Sequence, residues 1–285
     1  MPRLLVGLVL VCAAWVAAAP RTALGTEMVQ VELQSAVLGR VWPVSAYLPR
    51  DFGEGERRYP ILFFLPGQGA TTSDLLRREL AGIIDAAIVD RRMRQAVVVV
   101  PELRRSWGVD GKERMETALI EELIPEATRR WRGTGTRAGQ AIGGISAGGY
   151  AALRLAMKYP DRFAAVALLS PAIYVPEPPA RSSARNAGVF GAPDFDPAVW
   201  ASLNYPTLLL GLRARGVTLP LLVASGQADH LGIGAQAVML AREWHEMSMP
   251  VEMVLVPGGH DEVTWRGLLP RALEFSFRMM AATAP

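Results

Sequence analysis

Two patterns of apolar positions alternate along the chain. Short apolar runs bounded by glycine, proline or charged residues predict strands buried on both faces. They are Ile61–Leu65 (ILFFL), Ala96–Val100 (AVVVV), Ala138–Ile142 (AGQAI), Phe163–Leu169 (FAAVALL), Leu221–Ala224 and Val251–Val256. Longer stretches of helix formers, with apolar positions three and four apart, predict helices over Leu75–Arg92, Ala151–Lys158, Gly232–Met247 and Trp265–Met280, and a long amphipathic helix within Gly111–Trp131. Within Gly111–Trp131 one face carries Ala118, Leu119, Leu123, Ile124 and Ala127, and Pro125 predicts a kink. Val29–Ser35 and Val41–Leu48 instead alternate apolar with polar or small residues, the pattern of an opening antiparallel pair. Strands alternating with helices imply an α/β fold, a mostly parallel central sheet with helices on both faces. In such sheets, sites gather at the carboxyl ends of the strands.

One stretch breaks the alternation. Pro171–Pro220 is rich in proline, alanine and arginine and only weakly periodic, yet it holds Trp200 and Tyr205. A structureless loop of that length is unusual inside a domain. We therefore expect an excursion over the sheet.

The N-terminus reads differently again. Met1-Pro2-Arg3 carries one positive charge, Leu4–Ala19 is apolar or small throughout, and Ala23-Leu24-Gly25 offers a cleavage site. This is the layout of a secretory signal peptide, too short to favour a membrane anchor. The expectation is export, removal of residues 1–25, a single domain over 26–285, and no stable membrane span afterwards. Retention of the segment as an anchor is the alternative. Cys12 follows Val11, where a lipidation signal would want a small residue.

Removal of residues 1–25 takes away Arg3 and Arg21, so the formal charge falls from +3 to +1 (3 − 2). No basic stripe with interleaved aromatics is present, so nucleic acid is not an expected partner. Arg129-Arg130-Trp131-Arg132 reads as a solvated helix end. Cys12 is the only cysteine, so the mature domain would have no disulfide, thiol nucleophile or cysteine metal site.

Gly144-Ile145-Ser146-Ala147-Gly148 is a G-x-S-x-G sequence set between a predicted strand and a predicted helix. In that setting it marks a nucleophile elbow, a tight turn that leaves the serine hydroxyl exposed above the sheet. A serine needs a base within hydrogen-bond reach. Of three histidines, His245 lies mid-helix among charges in Arg242–Glu246, and His230 reads as a neighbour or pocket wall. His260 follows the strand Val251–Val256 through Pro257-Gly258-Gly259, at a carboxyl end, and is the expected base. The acid that would orient it is Asp229, which follows Leu221–Ala224 through Ser225–Ala228. Asp261 competes, but a residue next to the histidine rarely turns back onto its ring, and Asp229 could also be a plain helix cap. The order Ser146, Asp229, His260 is that of α/β-hydrolases. Acyl transfer also needs donors for the tetrahedral oxyanion. The backbone N–H of Ala147 is one, and that of Gln68, in Pro66-Gly67-Gln68-Gly69, is preferred over Gly67 for the other. Trp107, Trp265 and the 171–220 excursion are candidate walls of a substrate pocket.

With these residues in place the chain resembles the putative-esterase family of α/β-hydrolases. That family includes esterase D, feruloyl and acetylxylan esterases, enterochelin esterases and the antigen 85 mycolyltransferases. The likeness runs from about Ser35 to Phe277. It is carried by Leu38-Gly39-Arg40, Tyr47-Leu48-Pro49, Phe64-Leu65-Pro66-Gly67, Gly143–Tyr150, Tyr159–Phe163, Gly226–His230, and Pro257–Asp261 with Trp265. It departs at Leu65-Pro66-Gly67, where many members carry histidine before the glycine. The resemblance implies an α/β-hydrolase fold with Ser146, Asp229 and His260 as nucleophile, acid and base, and it needs no metal or organic cofactor. The expected function is a secreted serine carboxylic-ester hydrolase acting on a small-molecule, glycan or lipid ester. Acyl transfer by the same triad and a non-catalytic envelope-binding protein are the alternatives. The sequence leaves the oligomeric state open.

Overall fold

The computed structural model describes residues 27–280. The predicted signal peptide, residues 1–25, lies outside them. Among the described residues no helix is long and apolar enough to cross a membrane.

Among the described residues eight strands form one sheet: β1 Glu27–Ser35, β2 Arg40–Leu48, β3 Ile61–Leu65, β4 Val97–Pro101, β5 Gln140–Ile145, β6 Val166–Leu169, β7 Leu221–Gly226 and β8 Val251–Val256. Their order is β1-β2-β4-β3-β5-β6-β7-β8. β1 pairs antiparallel with β2 and β2 with β4, and every later pair is parallel. β3 to β7 are buried along their whole length, which is why they read as continuous apolar runs. This is the mostly parallel α/β sheet that the patterning implied, in the α/β-hydrolase arrangement that the resemblance implied.

The helices are α1 Ala70–Val89, α2 Met115–Thr117, α3 Ile124–Arg130, α4 Ala147–Lys158, α5 Pro197–Leu203, α6 Leu209–Ala214, α7 Ile233–Glu246 and α8 Glu262–Met279. Residues of α1 and α8 (Leu75, Leu80, Ile84, Leu269, Leu273) fill the core on one face of the sheet. Residues of α3, α4 and α7 (Ala127, Leu153, Leu240) share the core of the other face with Trp107, Phe190 and Trp200.

Among the boundaries that differ from the sequence reading, three bear on the architecture around the serine. The helix predicted within Gly111–Trp131 is α2, a π-helical stretch Ala118–Leu123, and α3. Pro125 cannot donate to the carbonyl one turn back, and its ring crowds that carbonyl; the wider π turn immediately before it relieves both. β5 runs on to Ile145, so Gly143 and Gly144 lie inside a strand, in register with Phe64 and Leu65. Packing overrides the low strand propensity of glycine there. α1 begins at Ala70, earlier than predicted, directly after the loop that leaves β3.

The 171–220 excursion is ordered. It contains α5, α6 and short 3₁₀ turns at Ser183–Asn186 and Tyr205–Leu208. It lies against α4, which stands between it and the strands. Tyr150 Oη donates to Leu203 O at 2.7 Å, and Arg154 Nε donates to the same carbonyl at 3.0 Å. Trp200 Nε1 (3.1 Å) and Asn204 Nδ2 (2.8 Å) both donate to Tyr174 O. Arg154 and Lys158 also pair with Glu116 of α2, a side chain only 4 % exposed. Burial pushes the Glu116 carboxyl up, but the hydrogen bonds from Lys158 and Arg154, with their charges, outweigh it and hold it below its ordinary value.

Candidate active site

Ser146 is the single residue between β5 and α4, and its φ of 54° and ψ of −116° lie where a side chain is strained. Three backbone bonds hold it there. Its N–H donates to Leu169 O at 3.0 Å, and its carbonyl accepts from Tyr150 N and Ala172 N, each at 3.0 Å. The flanking glycines are steric necessities. A Cβ on Gly144 would stand 2.4 Å from Gly148 O, and one on Gly148 would stand 2.1 Å from Leu65 O and 2.5 Å from Pro66 O. At positions 144 and 148 the turn therefore has no space for a side chain. The same closeness brings the Pro66–Gly69 loop against the first turn of α4.

Two further loops converge on the serine. Asp229 lies beyond β7 and His260 beyond β8, and the two strands pair in register to Gly226↔Val256. Past that pair the loops stay in contact, with Gln227 N donating to Val256 O at 2.8 Å and Ala228 N to Gly258 O at 2.9 Å. A Cβ on Gly226 would meet Gly258 O at 2.4 Å. Sheet register thus carries through into the spacing of the two side chains.

Ser146 Oγ lies 3.0 Å from His260 Nε2, and His260 Nδ1 lies 2.8 Å from Asp229 Oδ2. The other oxygen, Asp229 Oδ1, accepts from Leu231 N at 2.9 Å. The carboxylate is 1 % exposed and the imidazole 12 %. A buried carboxylate is tolerated only when paired and hydrogen-bonded, and here both oxygens are. An ionised carboxylate can only accept, so Nδ1 carries the proton and Nε2 faces the serine as an acceptor. A hydroxyl aimed at that nitrogen can be deprotonated as it attacks an electrophile.

The other sequence-predicted residues are placed as follows. Asp261, the competing acid, turns away from the ring. Its Oδ1 accepts from Thr264 N at 2.9 Å and its Oδ2 from Gly259 N at 3.2 Å, so it caps α8. The Thr264 bond holds its carboxyl below the usual range. His245 is exposed on α7. His230 is exposed, its ring 6.2 Å from that of His260. Ala147 opens α4, where the first N–H groups of a helix have no intrahelical acceptor. Gln68 is half-buried in the loop after β3.

The two tryptophans do not stand as pocket walls. Trp107 is 1 % exposed and belongs to the core, so it offers substrate no surface. Trp265, 6 % exposed, sets its ring perpendicular to His260 with centroids 5.0 Å apart and backs the imidazole. Sequence reasoning also missed two contacts: the Leu231 N–H on Asp229, and a hydrogen bond from Trp107 to the Gln68 side chain. The first is a local turn, an aspartate accepting from the backbone two residues on, and was open to a sequence reading; the second joins residues 39 apart through tertiary packing and has no local signature.

Comparison with known proteins agrees with this architecture. Residues 35–276 match the family described as Putative esterase. The chain belongs to that family. The span is nearly the one over which the resemblance was read from motifs. Esterases from two strains of Mycobacterium tuberculosis (CDC 1551 / Oshkosh and H37Rv) are each 27% identical over 251 residues, covering 80% of this chain and 54% of theirs. The chain thus spans about half the length of these curated relatives. Among solved structures, a ferulic acid esterase superposes with a TM-score of 0.77 at 21% identity, covering 91% of this chain and all of that one. An S-formylglutathione hydrolase from Agrobacterium tumefaciens gives 0.69 at 19% identity, covering 91% and 98%. At such identities these two likenesses speak for the fold.

Proposed function

We propose that this protein is an exported serine carboxylic-ester hydrolase. The observation that carries the reading is the continuous relay Ser146 Oγ, His260 Nε2, His260 Nδ1, Asp229 Oδ2, with links of 3.0 and 2.8 Å. Membership in an esterase family supports the same class of reaction.

In this mechanism Ser146 Oγ bonds to the ester carbonyl carbon while His260 Nε2 takes the hydroxyl proton. The carbonyl oxygen becomes an oxyanion, which accepts from the N–H groups of Ala147 and Gln68. Collapse breaks the ester C–O bond, and the imidazolium returns the proton to the departing alcohol. Water then attacks the acyl-serine by the same route, giving its proton to His260 and releasing the acid and free Ser146. Asp229 fixes the tautomer and stabilises the imidazolium throughout. Export rests on the N-terminal charge, apolar run and cleavage pattern of residues 1–25.

The test is turnover of a panel of p-nitrophenyl, aryl, sugar and acyl-chain esters, with a fluorophosphonate label mapped by mass spectrometry. Turnover with the label on Ser146 is expected. No turnover and no label would overturn the hydrolase reading. Expression of the full chain, with sequencing of the N-terminus of the exported product, tests the leader; an intact Met1 start on intracellular protein would remove export.

A further inference from the structure

Trp107 sits where three parts of the molecule meet. Its Nε1–H donates to Gln68 Oε1 at 2.6 Å. An indole N–H can only donate, so the Gln68 amide must present its oxygen and is held in one orientation. The loop it holds, Gly67-Gln68-Gly69, has a glycine on each side of the glutamine, and Gly69 adopts a φ of 99°. Such a loop has little stiffness of its own. The Trp107 bond adds a tether at the glutamine itself.

Trp107 is well made for that task. Its backbone lies in the left-handed region, at φ 53°, followed by Gly108. A Cβ on Gly108 would stand 2.5 Å from Ala151 Cβ, so this dipeptide is pressed onto α4 one turn beyond Ser146. Around the indole, Tyr150 and Phe190 stand edge-on at centroid distances of 5.5 and 5.4 Å, with Trp200 at 6.3 Å. Phe190 and Trp200 come from the 171–220 segment. The indole is thus fixed from both sides, by the helix that begins with Ala147 and by the segment laid over it.

We propose that Trp107 is a positioning residue for the oxyanion site. It holds the Gln68 N–H at a set distance from the Ala147 N–H, and through it the 171–220 segment bears on the rate. The proposal rests on the hydrolase reading above. A donor out of place by a fraction of an ångström loses most where charge develops in the transition state. The signature is therefore a fall in kcat with KM held.

The test compares Trp107→Phe, which keeps a packed ring and removes the N–H, with Gln68→Met, which removes the acceptor and keeps the backbone donor. Each is assayed on one p-nitrophenyl ester beside the wild type, with urea midpoints confirming folded protein. We expect each variant to lower kcat about 10-fold, part of the 10²–10³ seen when such a donor is lost outright, with KM within about twofold. The double variant should be no slower than the slower single, because both break one bond. Should Trp107→Phe fold poorly, Gln68→Met against the wild type decides alone. Wild-type kcat in Gln68→Met, or a raised KM with kcat unchanged in Trp107→Phe, overturns the proposal and leaves the hydrolase reading standing. No turnover by the wild type removes the hydrolase reading, and this one with it.

Discussion

The elbow around Ser146 and the 171–220 segment hold their shapes by opposite means. At the elbow, backbone lies directly on backbone because side chains are missing: Gly148 presses on Leu65 and Pro66, and Gly144 on Gly148. In the segment, Phe190, Trp200 and Tyr205 are large side chains buried to within 1 % of full exclusion, and polar groups of α4 and Asn204 bind its carbonyls. The elbow is intolerant of anything added. The segment is intolerant of anything removed.

Ser146→Ala should lower ester turnover by about 10⁴-fold or more while leaving the urea midpoint near that of the wild type. Retained turnover would show that the turn is structural only. Trp200→Ala should cost about 3–5 kcal/mol in urea denaturation, the range for emptying a buried aromatic site. A loss below about 1 kcal/mol would mean the segment is merely draped on α4. Gly148→Ala adds one methyl group against a carbonyl that cannot step aside, and should cost about 1–3 kcal/mol. It should also abolish fluorophosphonate labelling.

A smaller effect concerns how the segment is seated. Glu116 holds Arg154, which in turn binds Leu203 O. Its carboxyl titrates below its ordinary value of 4.5 in the folded protein, so its contribution is complete above that pH and is lost as pH falls through the folded value. Glu116→Gln should therefore lower stability at neutral pH and flatten the acid side of the urea-midpoint profile. An unchanged profile would place the acid sensitivity elsewhere. At the bottom of the scale, Leu210→Ser on the outer side of α6, where Leu210 is exposed, should change stability by less than about 0.5 kcal/mol.

The same contrast decides what was legible in the sequence. β3 and β8 could be bounded to the residue because a strand buried by its neighbours, or a short run before Pro257-Gly258, is marked locally. The G-x-S-x-G turn was legible because its requirement is for absent side chains at fixed spacing, and absence is written in glycine. The segment was not, because what orders Trp200 is the Tyr174 carbonyl and the rings of Tyr150 and Phe190, partners at no regular spacing along the chain. Trp107 was misread as a pocket wall for the same reason. An aromatic residue near a motif looks alike in sequence whether its ring faces substrate or core. Asp261 shows a third case: its two backbone bonds are local, so Asp261-Glu262-Val263-Thr264 could have been read as a helix start.

One consequence follows from where β8 lies. The serine is carried by β5 in the interior of the sheet, whereas the histidine follows β8, an edge strand paired, among the described residues, only to β7. Edge strands open more readily than central ones. Warming should therefore detach the imidazole from the hydroxyl while the rest of the domain is still intact. Heat inactivation would then begin below the melting temperature and reverse on cooling, with amide exchange quickening first along Val251–Val256. Such a protein falls silent before it comes apart.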